Sequence, residues 1–164
     1  MFDTKHTLIA LVEDKPGVLN RVVSLFRRRG FNIQSLAVGS SEHPGLSRMT
    51  AVVAGDSIIV EQVRKQLDKL IDVVKVSDIT DEDMIARELA LIKVKATAST
   101  RSEIMQIVDI FRANIIDVAL DSLTVEVTGD ESKMESLIDL LRRFGIKQIS
   151  RTGRIALTRG ITRD

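Results

Sequence analysis

The segment with the clearest potential for chemistry is the stretch Glu13-Asp14-Lys15-Pro16-Gly17, which an apolar pair, Val18-Leu19, follows. Pro16 is suited to the start of a helix, and Gly17 lets another molecule approach the backbone closely. The first N–H groups of a helix have no partner within the helix, so this turn can hold a small carboxylate. The same residues have a plain structural explanation, in which Asp14 and Pro16 cap and start the helix. Both explanations stay open at this point.

The residue types that usually carry catalysis or metal binding form no recognisable arrangement. The histidines, His6 and His43, lie at the chain start and in a predicted turn, where we expect surface histidines rather than metal ligands. The sequence has no cysteine, no Gly-rich phosphate loop and no nucleophile elbow. Its carboxylates fall on predicted helix surfaces and caps rather than in an acid/base pair. We therefore expect no catalytic residue and no metal site.

Composition narrows the class of protein. The 164 residues include 24 basic and 23 acidic side chains, a net charge of +1 that is too balanced for a protein whose main partner is nucleic acid. The absence of Trp and Tyr argues further against base stacking. A hydrophobic content of 44% predicts a packed core. With no cysteine, no secretory signal and no long apolar run, the sequence favours a soluble cytoplasmic protein.

The elements that must position the Gly17 turn follow from hydrophobic periodicity. In the first half we predict a helix from Val18 to Phe26, which ends at Arg27-Arg28-Arg29-Gly30 because cations and then glycine favour a helix C-terminus. A second helix is predicted over 59–70. The strands predicted for this half are 5–12, 31–39, 48–54 and 72–79.

The second half repeats this order. Capping boxes, Thr100 with Glu103 and Ser132 with Glu135, predict the starts of its two helices. The strands predicted for this half are 89–96, 114–120, 123–128 and 146–151, and an extension of the last through 155–157 stays open.

Both halves therefore read β-α-β-β-α-β, and they share the dipeptides Asn-Ile, at 32–33 and 114–115, and Gly-Asp, at 55–56 and 129–130. This predicts an α+β protein with two tandem ferredoxin-like βαββαβ domains. The predicted domains span residues 1–80 and 86–164, with 81–85 as a linker. A unit of this size is marginally stable alone, and its first strand is apolar on both faces, so we expect pairing with another copy.

Several runs in both halves are similar to one known family. They are Pro16-Gly17-Val18-Leu19, Arg29-Gly30-Phe31-Asn32-Ile33 and Leu46-Ser47-Arg48-Met49-Thr50 in the first half, and Ile115-Ile116-Asp117-Val118, Val125-Glu126-Val127-Thr128-Gly129 and Ser150-Arg151-Thr152-Gly153-Arg154 in the second. The first half resembles the ACT domain, and the second half the C-terminal domain, of the regulatory (small) subunit of acetolactate synthase, also called acetohydroxyacid synthase. The resemblance covers essentially the whole chain.

The resemblance implies a non-catalytic protein that binds and activates a large catalytic subunit and confers feedback inhibition by valine, in the biosynthesis of valine, leucine and isoleucine. Thiamine diphosphate, magnesium and FAD are then expected in the large subunit. This chain lacks the thiamine-diphosphate motif, because Gly55-Asp56 is not followed by the motif's further glycine and asparagines. The resemblance also implies a homodimer, in which two ACT domains pair through the first strand and the adjoining helix and hold valine between them.

The residues that match the family's valine site are Asp14, Gly17, Val18, Leu19, Asn32 and Ile33. In the arrangement that the resemblance implies, amides near Gly17 take the ligand carboxylate, Asn32 of the partner subunit orients the ligand, and Val18 and Ile33 contact its branched side chain. A structural role for Asn32 in a nearby turn stays open. The family commonly has Asn in place of Asp14. A carboxylate only accepts hydrogen bonds, so Asp14 favours the ligand ammonium and repels its carboxylate.

The C-terminal stretch 144–163 contains five basic residues and no acidic one. It forms either a solvated basic face or a surface that docks onto acidic residues of the large subunit, with Arg151 and Arg154 as contacts.

Two other functions are compatible with the predicted fold. One is a free-standing ACT-type amino-acid sensor without an enzyme partner. The other is an acylphosphatase-like enzyme, which needs an anion-binding arginine in the first loop, where this chain has only Lys15.

Overall fold

The computed structural model describes residues 4–160, which contain nine strands and four helices. In chain order the elements are β1 Thr4–Glu13, α1 Val18–Arg28, β2 Asn32–Ser40, β3 Leu46–Gly55, α2 Ser57–Asp68, β4 Val73–Asp78, β5 Met84–Lys95, α3 Arg101–Ile110, β6 Asn114–Val118, β7 Ser122–Gly129, α4 Glu131–Arg142, β8 Ile146–Arg151 and β9 Ile155–Thr158.

The described residues form two compact units, the first containing 4–85 and 154–160 and the second containing 86–153. The first unit has an antiparallel sheet of order β2-β3-β1-β4. The main path of the second sheet has the order β6-β7-β5-β8, and β9 also pairs with β5. Both units have the βαββαβ element order, so the predicted α+β fold class is confirmed.

The unit boundaries differ in detail from the predicted domains. The predicted linker 81–85 contains the first residues of β5, which begins at Met84. Residues 154–160 were predicted in the second domain but group with the first unit. The Arg154 guanidinium donates to Thr7 Oγ1 at 3.0 Å, and the Arg159 N–H donates to the Asp83 carbonyl at 2.8 Å. These contacts between residues far apart in sequence explain the grouping.

The position of β1 overturns one expectation about assembly. β1 pairs with β3 along one edge and with β4 along the other, so both of its edges are filled within one copy. Two copies therefore cannot join along their first strands, and that expectation is wrong. The strands with one unpaired edge in this sheet are β2 and β4, because each pairs with a single neighbour.

Each unit buries one face of its sheet under two helices. In the first unit, alternate residues of β1 lie in the core together with residues of α1 at helical spacing; they are Leu8, Ala10, Val12, Val18, Val22 and Phe26. In the second unit, β5 and α3 contribute in the same manner, with Ala90, Ile92, Val94, Ile104, Ile107 and Val108. The helices thus form because their apolar stripes pack on the alternating apolar face of each sheet.

The helix termini confirm one sequence prediction and correct another. After α1, Gly30 adopts a left-handed φ of 73°, and the Phe31 N–H donates to the Phe26 carbonyl at 3.0 Å, which is the predicted glycine stop. The predicted capping boxes are wrong. Thr100 precedes α3 but makes no side-chain cap, and α4 is capped by Asp130, which places Ser132 inside the helix.

The described residues contain neither a membrane-spanning helix nor a cluster of metal-binding side chains. No helix within 4–160 is long and apolar enough to cross a membrane. In the same range no group of three or more His, Cys, Asp or Glu side chains is placed to hold a metal ion.

Candidate functional site

The turn before α1 is open at its tip. Gly17 is the N-cap residue, with a left-handed φ of 84° and no side-chain hydrogen bond to the helix. Because α1 begins at Val18, Pro16 lies outside the helix, and the explanation of Asp14 and Pro16 as a plain cap is wrong. Within the described part of the chain, the N–H groups of Leu19 and Asn20 have no protein acceptor. Such N–H groups, at the positive end of the helix dipole, suit a small carboxylate.

An ion pair between the half-exposed Arg21 and the largely buried Asp72 lies beside this turn. The Arg21 guanidinium donates to the Asp72 carboxylate, from Nε at 2.7 Å and from a terminal nitrogen at 2.5 Å. The Asp72 carbonyl in turn accepts from the Glu13 N–H at 2.8 Å. A Cβ atom on Gly17 would lie 3.3 Å from the Arg21 guanidinium, in a backbone conformation that L residues rarely adopt. The turn therefore requires glycine at position 17.

The side chains beside the turn divide between core and solvent. Val18 is 3% exposed and packs in the core, whereas Leu19 is 45% exposed. Asp14 is exposed, and its N–H donates to the Gly45 carbonyl at 2.9 Å. Glu13 accepts from Lys15 and raises the pKa of that ammonium group. Leu19, Asp14 and the exposed Lys15 are therefore side chains of this turn that an incoming ligand can meet.

The other two predicted site residues lie at the opposite end of α1. Asn32 is exposed at the start of β2, opposite Ala54, and Ile33 packs partly against the core. The 11 residues of α1 separate this point from Gly17 by about 16 Å along the helix axis. One copy of the chain therefore brings Asp14, Gly17 and Leu19 together but does not bring Asn32 to them.

His6 was predicted on the surface, and this is wrong because the side chain is buried, at 5% exposure. His6 Nδ1 lies 2.9 Å from an Asp78 carboxylate oxygen, and Nε2 lies 3.4 Å from the Ser57 hydroxyl. The signal was present in the sequence, since His6 has the same parity along β1 as the core residues Leu8 and Ala10.

The Asp78 carboxylate is held in its charged form. Burial raises its pKa, but hydrogen bonds from the Thr80 hydroxyl and N–H and from His6 outweigh burial, so the pKa of Asp78 is lowered. The hydroxyl and carboxylate groups around His6 satisfy its two ring nitrogens, and the cluster ties β1 to β4 and α2.

His43 is exposed, as predicted, and lies beside a surface ion pair. The Arg48 guanidinium donates to both oxygens of Glu42, at 2.6 and 2.9 Å, and lowers the pKa of Glu42 to about 2. This bidentate pair fixes the hairpin between β2 and β3.

The basic residues of the C-terminal stretch do not form a free cationic surface. Arg151, proposed as a partner contact, donates to Glu88 and also to Glu135, the latter at 2.9 Å. Arg154, the second such residue, donates to a hydroxyl of the first unit. Of the remaining three, Lys147 pairs with Asp121 at 2.7 Å, Arg159 pairs with Asp83 at 3.1 Å, and Arg163 lies outside the described residues.

Each unit matches a family of known proteins. The family described as "AHAS small subunit-like ACT domain" matches residues 8–75, and the family described as "Small subunit of acetolactate synthase" matches residues 87–160. The probable acetolactate synthase small subunit of Archaeoglobus fulgidus is 58% identical over 156 residues, which are 95% of this chain and 98% of that protein. The acetolactate synthase small subunit of Mycobacterium bovis is 55% identical over 155 residues, covering 94% and 92% of the two chains.

A solved structure agrees with these sequence matches. The crystal structure of the acetolactate synthase small subunit from Thermotoga maritima superposes with a TM-score of 0.87 at 44% identity, covering 97% of this chain and 99% of that chain.

Proposed function

Because the chain belongs to the acetolactate synthase small-subunit family, we propose that it activates the catalytic large subunit and makes that subunit sensitive to valine bound at the Gly17 turn. In this proposal catalysis and its cofactors, thiamine diphosphate, magnesium and FAD, reside in the large subunit. The observation that carries the proposal is the open turn itself, where the helix N–H groups that follow Gly17 have no side-chain cap.

The sheet geometry favours a homodimer that completes this site. The pairing register places Ser40, at the end of β2, in one row with Ser47 and Val12, beside the turn. Asn32 begins the same strand at the far end. If two copies pair antiparallel along the free edge of β2 about a two-fold axis, each Asn32 arrives at the Ser40 end of its neighbour. Asn32 of the partner subunit then meets the open turn.

Each end of a bound valine has a matching group in this arrangement. The helix N–H groups of Leu19 and Asn20 take the carboxylate, and the exposed Asp14 carboxylate attracts the ammonium. The exposed part of Leu19 covers the branched side chain, while Val18 supports the turn from the core. Asn32 of the partner subunit supplies a neutral donor and acceptor at the rim.

Valine acts as an inhibitor in this scheme only if it binds the inhibiting arrangement more tightly than the activating one, since equal affinities shift no equilibrium. A site shared between two copies provides such a difference, because any change in how the two β2 edges meet alters the distance between the two halves of the site.

Calorimetric titration with valine tests the binding site. We compare the unmodified chain with Gly17→Asp and with Gly30→Asp. Gly30 is a matched control, since its φ of 73° imposes similar strain but no atom lies within 4 Å of an added Cβ. We expect binding to the unmodified chain and to Gly30→Asp, and at least about a tenfold loss in Gly17→Asp, which sets a carboxylate against the ligand carboxylate. Absence of heat with the unmodified chain at millimolar valine would contradict the proposed site.

Acetolactate formation by a cognate large subunit tests the regulatory role. The unmodified chain is expected to raise the rate and to make it valine-sensitive, and Gly17→Asp is expected to raise the rate without valine sensitivity. Valine binding with no effect on the large subunit would instead identify a free-standing sensor.

A further inference from the structure

The two edge strands of the second sheet differ in charge. β6 pairs with β7 alone, so its other edge is unpaired within residues 4–160, and Asp117 is its one charged residue. β8, at the opposite end of the main path, carries Lys147 and Arg151, and both are held in ion pairs. Charged side chains protect an edge strand from association with another chain, so β8 has this protection and β6 has little of it.

The β6 edge also exposes apolar side chains. Ile116 is 51% exposed, and Val118 is 65% exposed. Ile116 has no partner residue on β7, because the register shifts between Ile115 and Asp117. This bulge interrupts the strand ladder, so a contact at this edge must be carried mainly by side chains. Exposed apolar side chains beside an unpaired edge are typical of an interaction surface.

α3 adds a stripe of three side chains next to this edge. Arg101, Met105 and Asp109 follow one another at intervals of four residues, so they lie on one side of the helix and span about 12 Å. This side faces β6, because the Arg101 guanidinium donates to the carbonyls of Ala119 and Leu120, each at 3.0 Å, just after β6. The α3 stripe therefore reads cation, apolar, anion, and its central Met105 is 47% exposed.

The two charges of the α3 stripe are not neutralised within the second unit. Among residues 4–160, Arg101 has no carboxylate partner and the exposed Asp109 has no cationic partner. α3 and β6 run in opposite directions, so the Arg101 end of the stripe lies near the end of β6 and the Asp109 end lies near its start. Met105 and Ile116 are the middle residues of the stripe and of the strand.

We propose that the second unit binds a second copy of this chain through the β6 edge and the α3 stripe, about a two-fold axis that passes near Met105 and Ile116. An antiparallel approach reverses one stripe relative to the other. Arg101 of each copy then meets Asp109 of the partner subunit, and the apolar side chains meet at the centre.

The order of the charges is what selects a second copy as the occupant. A stripe that has a cation at one end and an anion at the other is complementary to its own reversed copy, whereas a parallel approach opposes like charges. Asp117 adds no like-charge pair, because the axis at Ile116 sets Asp117 opposite Ile115 of the partner subunit. The contact uses no residue of β2 or of the Gly17 turn, so it does not depend on the proposed function.

Cross-linking of the full chain tests the contact. The chain has no cysteine, so a single introduced thiol reports its own surroundings. With a short bismaleimide, we expect Ile116→Cys to form covalent dimers at least about tenfold faster than Leu140→Cys, because the two-fold axis raises the local concentration of the partner thiol. Leu140 is the matched control, since it lies on α4 and is 43% exposed. Equal rates in the two variants would overturn the proposal.

Charge exchange in the Ile116→Cys chain tests the orientation. Asp109→Arg and Arg101→Asp each oppose like charges, and each is expected to slow cross-linking at least about fivefold. The double variant opposes unlike charges again and should recover the original rate. Within one copy positions 101 and 109 are about 12 Å apart, so this recovery can come only from a contact between two copies. Slow cross-linking in a double variant that circular dichroism shows to be folded would overturn the proposal.

The same cross-linking in the presence of a cognate large subunit distinguishes the other possible occupant. If the β6 edge binds a second copy, Ile116→Cys forms covalent dimers of this chain with and without the large subunit. A thiol at position 116 that joins the large subunit and never a second copy would overturn the proposal and assign this edge to the large subunit.

Discussion

The two units share a fold but begin their first helices differently. The second helix of each unit starts in the same manner, with Asp56 accepting from the Ile58 N–H at 2.8 Å and Asp130 accepting from the Lys133 N–H at 2.9 Å. The first helices differ, because α1 follows a left-handed glycine whereas α3 follows Thr100, with a φ of −103°. This difference lies at the turn that carries the proposed site.

The turn before α3 is filled by its own side chains. The Thr97 hydroxyl lies 3.0 Å from the Ser99 hydroxyl and 3.1 Å from the Thr100 hydroxyl, which also accepts from the Thr97 N–H. The Arg101 guanidinium donates to the carbonyls of the β6–β7 hairpin instead of supporting the turn. Side-chain hydrogen bonds therefore fill the turn before α3, whereas the turn before α1 ends in a left-handed glycine with no side-chain cap.

The largest difference in stability that we expect between the units concerns the glycine that precedes the second helix of each unit, Gly55 in the first and Gly129 in the second. A Cβ on Gly55 would overlap the Phe31 ring, which packs against the first core, so Gly55→Ala forces that ring out of place. We expect a loss of about 2–3 kcal/mol in the free energy of unfolding. A Cβ on Gly129 meets only the flexible Lys133 side chain, at 2.5 Å, so Gly129→Ala should cost about 1 kcal/mol or less.

Urea unfolding measures both variants. The chain has no Trp or Tyr, so circular dichroism or amide NMR signals from each unit replace intrinsic fluorescence. The two glycines serve as mutual controls, because they occupy matching positions in the two units. Equal losses of unfolding free energy in the two variants would show that the overlap with the Phe31 ring adds no cost to Gly55→Ala.

An intermediate effect is expected at the buried His6 cluster, which has no counterpart in the second unit. His6 lies opposite Val53, which is two positions before Gly55. In the second unit, Val127 is two positions before Gly129, and the residue opposite it is the buried Ala90. Asp78→Asn replaces a carboxylate that accepts hydrogen bonds from Thr80 and should lower stability by about 1–2 kcal/mol at neutral pH.

The pH dependence of that loss has a defined sign. Because the folded pKa of Asp78 is lowered, its contribution is complete above the unfolded pKa of about 3.9 and disappears as the pH falls through the folded value. The gap between the unmodified chain and Asp78→Asn should therefore be widest at neutral pH and narrow below about pH 4. A gap that stays constant down to acidic pH would contradict the charged state assigned to Asp78.

The sequence predicted the element order because each element has its own hydrophobic period. The alternation along β1 and β5 and the helical stripes of α1 to α4 are local patterns, and so is the stop at Gly30. The position of β1 inside the sheet is not local, since it depends on which strands pair. The expectation of a dimer that pairs through β1 came from the family resemblance. Only the pairing register shows that β1 has no free edge.

The sequence suggests which residue types belong to the candidate site, but it says less about how those residues are arranged. Gly17 stands out in the sequence because a glycine next to a proline marks a turn. The burial of Val18, the exposure of Leu19 and the pairing of Arg151 with Glu88 and Glu135 depend on packing and on residues distant in sequence. A run without acidic residues does not show a free basic face, because its partners come from other strands.

The smallest effects test whether the two second helices are truly alike. Asp56→Ala and Asp130→Ala each remove one side-chain cap and should each cost about 1 kcal/mol in urea unfolding. Ser132→Ala is the control, because Ser132 lies inside α4 and should change stability by less than about 0.5 kcal/mol. Asp130 caps α4 and Ser132 lies in the first turn of the helix, so the capping box that the serine suggests does not form. A larger loss from Ser132→Ala than from Asp130→Ala would reverse that assignment and remove the closest parallel between the units.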